Sequence, residues 1–212
     1  MNERHLAALV RQYQITIHPQ FMQHLAFYQQ LPTIDMSIEY AALAKLPNGK
    51  RHPHQRLLKR HVLECVQQHL LANKQQLEQS GSFEDIIQLV RICAVSGFGK
   101  LAIYDTALRL AVRLSKRPKA VYLHAGTRIG AAAIGLKVDR TTIPIEDLPD
   151  PIQKLEPVDA ENFLCIYKDR LAKPSLADEQ APHGCMPQND NSVQEVTQTV
   201  APQSCSPIPE LE

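Results

Sequence analysis

Residues 84–95 and 100–113 read as two helical segments, and the short joint between them constrains the fold more than any other stretch of this chain. The joint is Val95-Ser96-Gly97-Phe98-Gly99-Lys100. Two glycines around one apolar residue let the backbone reverse within a few residues, so the flanking segments return as a helical hairpin. Such a hairpin has apolar faces that must be covered, and a protein built around it needs further helices to do so.

Those helices are legible in the spacing of apolar residues. Leu6, Leu9 and Val10 recur at helical intervals, and Phe21, Leu25 and Tyr28 share one face of a second helix over 19–31. Pro32-Thr33 stops that helix, and Asp35 or Ser37 is the expected cap of a third, running to Leu46. Pro47-Asn48-Gly49 is a turn. A long helical pattern then reaches about Gln79, with Leu57, Leu58, His61, Val62, Cys65, His69 and Leu70 toward its inner side. Ser80-Gly81 ends it, and Ser82 with Asp85 three residues on caps the first arm of the hairpin. Arg117-Pro118 stops the second arm. Residues 120–124 form a strand or a helical turn, and 128–136, with Gly130 and Ala131 to Ala133, form a small-residue helix suited to close packing. Pro144, Pro149, Pro151 and Pro157 mark an extended linker, and Asp159 is the expected cap of a last helix ending at Leu171.

The composition agrees with this pattern. With no Trp, five Phe and six Tyr, the apolar content rests on Ala and Leu, which favours helices over sheets. We therefore expect an all-α domain over 1–172, followed by a disordered acidic tail over 173–212 rich in Pro, Ser and Gln. The net charge of +1 hides an asymmetry. Residues 1–150 carry 19 Lys and Arg against 12 Asp and Glu, whereas 151–212 carry 4 against 10. A basic body suits a polyanionic partner, and the tail is a candidate contact for a protein partner. The N-terminus lacks the apolar run of a signal peptide and no stretch reaches membrane-spanning length, so a cytoplasmic protein without a membrane role is expected.

The glycine turn carries the functional expectation. In DNA-binding helix-hairpin-helix elements the turn reads apolar-Pro-Gly-apolar-Gly, and the helix that follows directs its N-terminus at a phosphate. Residues 84–113 resemble that element through Val95, Gly97, Phe98 and Gly99, with Lys100 as an added cation and Ser96 in place of the proline. The resemblance implies phosphate contacts by the backbone of Gly97 and Gly99, and a β-branched residue at Gly99 is expected to resist a positive φ there. The stretch 97–136 also resembles a segment of uncharacterised bacterial proteins, which implies no activity.

Two basic clusters extend the expected interface. Lys45, Lys50, Arg51, Arg56, Lys59 and Arg60 run without an intervening acid. From Arg91 to Arg140 ten basic residues face two acids, and Arg109, Arg113, Lys116 and Arg117 recur at intervals of three and four as one helical face. Arg128, after Gly126-Thr127 at a helix start, is a further anion contact. The expected function is thus a non-enzymatic nucleic-acid-binding accessory protein, with DNA the leading partner. The rival readings are a protein–protein adaptor and a nucleic-acid-processing enzyme using Asp105 and His124. Asp105 is expected to be tied to a cation, with His124 or Arg128 as its partner. No catalytic set, cofactor or metal site is expected. His52 and His54 flank Pro53 with no carboxylate or Cys at ligand spacing, and His61 and His69 stand about 12 Å apart along a helix.

Overall fold

The structure, a computed structural model, describes residues 3–172, so the expected disordered tail lies outside the described residues. Within them the chain forms eleven α-helices and one two-stranded antiparallel sheet, an all-α architecture. The helices are α1 (Glu3–Thr16), α2 (His18–Gln29), α3 (Ile34–Ala42), α4 (Arg60–Ala72), α5 (Lys74–Glu78), α6 (Phe83–Cys93), α7 (Lys100–Arg113), α8 (Ala125–Ala133), α9 (Asp150–Gln153), α10 (Pro157–Ile166) and α11 (Lys168–Ala172). The strands β1 (Ala120–Tyr122) and β2 (Thr142–Pro144) pair around Val121 and Ile143. No helix among the described residues is long and apolar enough to cross a membrane.

The hairpin organises the first of two apolar cores. Ser82 accepts from the Asp85 amide while the Asp85 carboxylate accepts from the Ser82 amide, which starts α6 where the sequence places it. Phe83, Ile86 and Val90 of α6 then pack with Ala107, Leu110 and Ala111 of α7, joined by Ile38 and Ala41 of α3 and by Leu63, Val66 and Leu70 of α4. Cys93 lies in this core as a small buried free thiol, and Cys65 is buried in it as well. Helix α7 is its central element, with α2, α3 and α6 all packed against it.

The second core joins the two ends of the described chain. Tyr13 of α1 meets Phe163 and Tyr167 edge-on, while Val121 and Ile143 of the ribbon sit in the same cluster. Asp159 is not the cap expected of it. The N-cap of α10 is Glu156, and the Asp159 carboxylate turns inward to accept the Tyr13 hydroxyl at 2.8 Å, with His18 Nδ1 also at 2.8 Å. The small-residue helix does pack closely. A Cβ placed on Gly130 of α8 would lie 2.8 Å from the Leu164 carbonyl carbon and 3.1 Å from its Cα, so α8 and α10 meet only because the side chain is absent.

Four boundaries differ from expectation, each for a local reason. Thr33, not Asp35 or Ser37, caps α3 by accepting the Met36 amide at 3.2 Å, and the helix ends early because Ala44 takes φ 52°. A 3-10 turn at Pro53–Gln55 delays α4 to Arg60, which leaves Leu57 91% exposed and His61 at the surface instead of on an inner face. Pro144 belongs to β2 rather than to a linker. Helix α7 stops at Arg113 and Ser115 turns the chain at φ 56°, so Lys116 and Arg117 do not extend a basic helical face.

Candidate functional site

The described residues form two candidate sites, the edge around the glycine turn and a polar cleft lined by α7. At the edge, Gly97 adopts φ +90°, the conformation that favours glycine, and Phe98 is buried beneath the turn. Gly99 does not share this need. Its φ is −71° and a Cβ there would meet nothing, which corrects the expectation of a positive φ at that position. The Cβ position of Gly97 lies 3.5 Å from Val62 Cγ2, in the first turn of α4. The starts of α4 and α7 are therefore neighbours. Their N-caps, Lys59 and Gly99, make no side-chain cap bond, so the first-turn amides of both helices lack side-chain acceptors from their caps. Lys59, Arg60 and Lys100 are exposed there, and Lys50 and Arg56 are exposed on the preceding segment. Arg60 also pairs with Glu64 one turn on, at 2.7 Å.

Arg51, Arg109 and Arg128 are engaged by the fold. Arg51 donates to the Leu58 carbonyl at 2.8 Å. Arg109 is 3% exposed and donates to the Ala41 carbonyl at 3.3 Å and to Gln55 Oε1 at 3.1 Å, so it is no part of an accessible phosphate-binding face. Arg113 is half-buried. Arg128 closes the loop before it by donating to the carbonyls of Leu123 and Arg140 at 3.1 and 3.2 Å. Nothing in a one-dimensional pattern distinguishes a guanidinium aimed at solvent from one aimed at a backbone carbonyl.

The cleft lies where the two cores meet, with about 70 Å³ of interior space. His24 of α2, His52 and His54 of the 3-10 turn, and Tyr104, Asp105 and Arg109 of α7 line one side; Glu161 and Asn162 of α10 line the other. Its centre is Asp105. The Oδ2 atom accepts from Gln55 Nε2, lies 3.3 Å from His54 Nδ1 and stands 3.8 Å from Arg109. Burial by itself raises a carboxyl pKa, but the His54 hydrogen bond and the Arg109 guanidinium outweigh it and bring Asp105 down to about 2. The same burial, reinforced by Arg109, pushes His52 down to about 3 and His24 down to about 4. Two imidazoles therefore stay neutral beside an ionised carboxylate.

The cation expected at Asp105 is present, but its identity differs. Arg109 and His54 take the place assigned to His124 or Arg128. His124 instead sits 3.3 Å from Glu161 Oε1, which also accepts the Thr127 hydroxyl at 2.6 Å. Burial lowers the His124 pKa, and its ring lies 4.4 Å from that of Tyr104. The His124 Nε2 and Tyr104 hydroxyl are buried without a hydrogen-bond partner among the described residues. Asp105 and His124 are thus members of two adjacent polar groups, each carboxylate with its own histidine. His24, Gln55 and Glu161 carried no signal in the sequence, because their common neighbourhood exists only once α2, α7 and α10 pack around the 3-10 turn. No protein-family model, curated protein or solved structure matches this chain.

Proposed function

We propose that this protein binds nucleic acid through the phosphates of its backbone, at the edge shared by the first turns of α4 and α7. One observation carries the reading: Gly97 packs on Val62, which sets two uncapped helix N-termini and the exposed Lys59, Arg60 and Lys100 side by side. The amides of a helix start attract anions, and adjacent lysines add charge without demanding a base sequence. The interface is smaller than the basic composition suggests, since Arg51, Arg109 and Arg128 are engaged internally.

The test is anisotropy of labelled single- and double-stranded DNA and RNA against full-length protein over a series of salt concentrations. Binding is expected to weaken steeply with salt. Lys100→Ala and Lys59→Ala should each reduce the logarithmic salt slope by roughly one unit while affecting all sequences alike. Lys74→Ala, whose side chain pairs with Asp35 at 2.9 Å on α5, is the control and should change little. Absence of salt-sensitive binding at low ionic strength refutes the proposal.

A further inference from the structure

We propose that His52, His54 and Asp105 form a binding site for one divalent transition-metal ion of the zinc, iron or manganese type. Each offers one ligand atom, and these atoms lie within 4.8 Å of one another. The carboxylate missing at ligand spacing along the sequence arrives through the fold, from the second turn of α7, 51 residues beyond His54. Two imidazoles and a carboxylate with open positions is a donor set suited to these ions and poorly suited to magnesium or calcium, which take oxygen ligands.

The distances fit. A nitrogen and an oxygen bound to one tetrahedral ion at about 2.0–2.2 Å are themselves roughly 3.3 Å apart. That is the separation of His54 Nδ1 from Asp105 Oδ2, 3.3 Å. His54 is the most exposed of the three. His52 Nδ1 accepts the His54 amide at 3.3 Å as the cap of the 3-10 turn, which fixes the ring beside the cleft. The surrounding groups have the form of a supporting shell. Gln55 and Arg109 orient the Asp105 carboxylate, while its Oδ1 accepts no hydrogen bond among the described residues. Two carboxylates, Asp105 and Glu161, line the cleft with one guanidinium, that of Arg109, a balance that favours a cation over an anion. With three protein ligands, further coordination positions open into the 70 Å³ space, where water or a small oxygen-bearing ligand fits. This site needs no nucleic acid, and its fate is independent of the phosphate-binding edge.

The experiment uses full-length protein stripped with a chelator, titrated with Zn²⁺ by calorimetry and with Co²⁺ by visible absorption. One equivalent per chain is expected, with the Co²⁺ spectrum of nitrogen and oxygen ligands. His54→Ala lies at the mouth of the cleft and should keep the native circular dichroism while weakening Zn²⁺ binding by more than about a hundredfold; Gln55→Ala, which frees the Asp105 carboxylate and also removes an acceptor from Arg109, should weaken it by about tenfold. His61→Ala, an exposed histidine of α4, should have no effect. The proposal is overturned if neither ion binds the folded protein. It is equally overturned if His54→Ala binds as His61→Ala does, or if a thiolate charge-transfer band assigns the ion to cysteine.

Discussion

Replacing Asp105 by asparagine tests the central electrostatic argument, because it removes a charge while keeping the shape of the side chain. The carboxylate is 13% exposed and its pKa stands at about 2 against an ordinary 3.8. That difference of nearly two units, at about 1.4 kcal/mol each, gives the ionised group a net stabilising role of about 2 kcal/mol. Removing one partner of a buried pair costs about 3–5 kcal/mol when the other is left uncompensated. Arg109 keeps its bonds to Gln55 and Ala41, and its 3.8 Å approach to Asp105 is too long for a hydrogen bond, which places the cost near the lower bound. We expect Asp105→Asn to lose about 2–3 kcal/mol at neutral pH in urea unfolding with chelator present. The pH dependence has a definite sign. A depressed carboxylate pKa means the unfolded chain binds the proton first, so the stabilisation is complete above about pH 4 and disappears as pH falls toward about 2. The gap between wild type and variant should therefore close across that window. A gap below about 0.5 kcal/mol at neutral pH, the scatter of ordinary surface substitutions, refutes the reasoning, as does a gap that stays constant down to acid.

The neutral histidines make a separate acid limb. His24 and His52 are held at about 4 and about 3, so the unfolded chain protonates them from about pH 6.5 downward and stability declines from there; both rings should remain neutral by NMR at about pH 5, and titration of both near 6.5 contradicts their burial. Gly130→Ala should destabilise by about 1–3 kcal/mol or more in urea unfolding, because its new methyl meets the Leu164 backbone and not a yielding side chain; an unchanged midpoint means that α8 and α10 are not in that contact. Gly97→Ala should cost about 1–2 kcal/mol through its φ of +90°, whereas Gly99→Ala, at −71° and with open space around it, should be neutral or slightly stabilising; equal effects at the two sites contradict the turn geometry. Thr127→Val removes a 2.6 Å hydrogen bond to Glu161 and should cost about 1–2 kcal/mol, read from the thermal midpoint.

Much of the secondary structure could be read from local chemistry. The capping box of Ser82 and Asp85, the glycine turn and the start of α7 at Lys100 are short-range features, decided by residues within four positions of one another, and they stand where the pattern puts them. The close-packing role of 128–136 was legible for the same reason, since Gly130 removes a side chain whatever its partner turns out to be. Boundaries failed where a local competitor was silent: Thr33 outbid its neighbours as a cap, and Pro53–Gln55 formed a separate turn that shifted α4 and turned Leu57 and His61 outward. The cleft was out of reach altogether. His54 and Gln55 meet Asp105 and Arg109 across some fifty residues, and Tyr13 meets Asp159 across 146. Periodicity along a chain says which residues are apolar and how far apart they stand along a helix axis. It carries no information about which two polar side chains, on helices that pack against each other, come within 3 Å. In this chain local sequence determined the helices and the turn, and only the packing of α2, α7 and α10 decided that three histidines, two carboxylates and a buried arginine share one cleft.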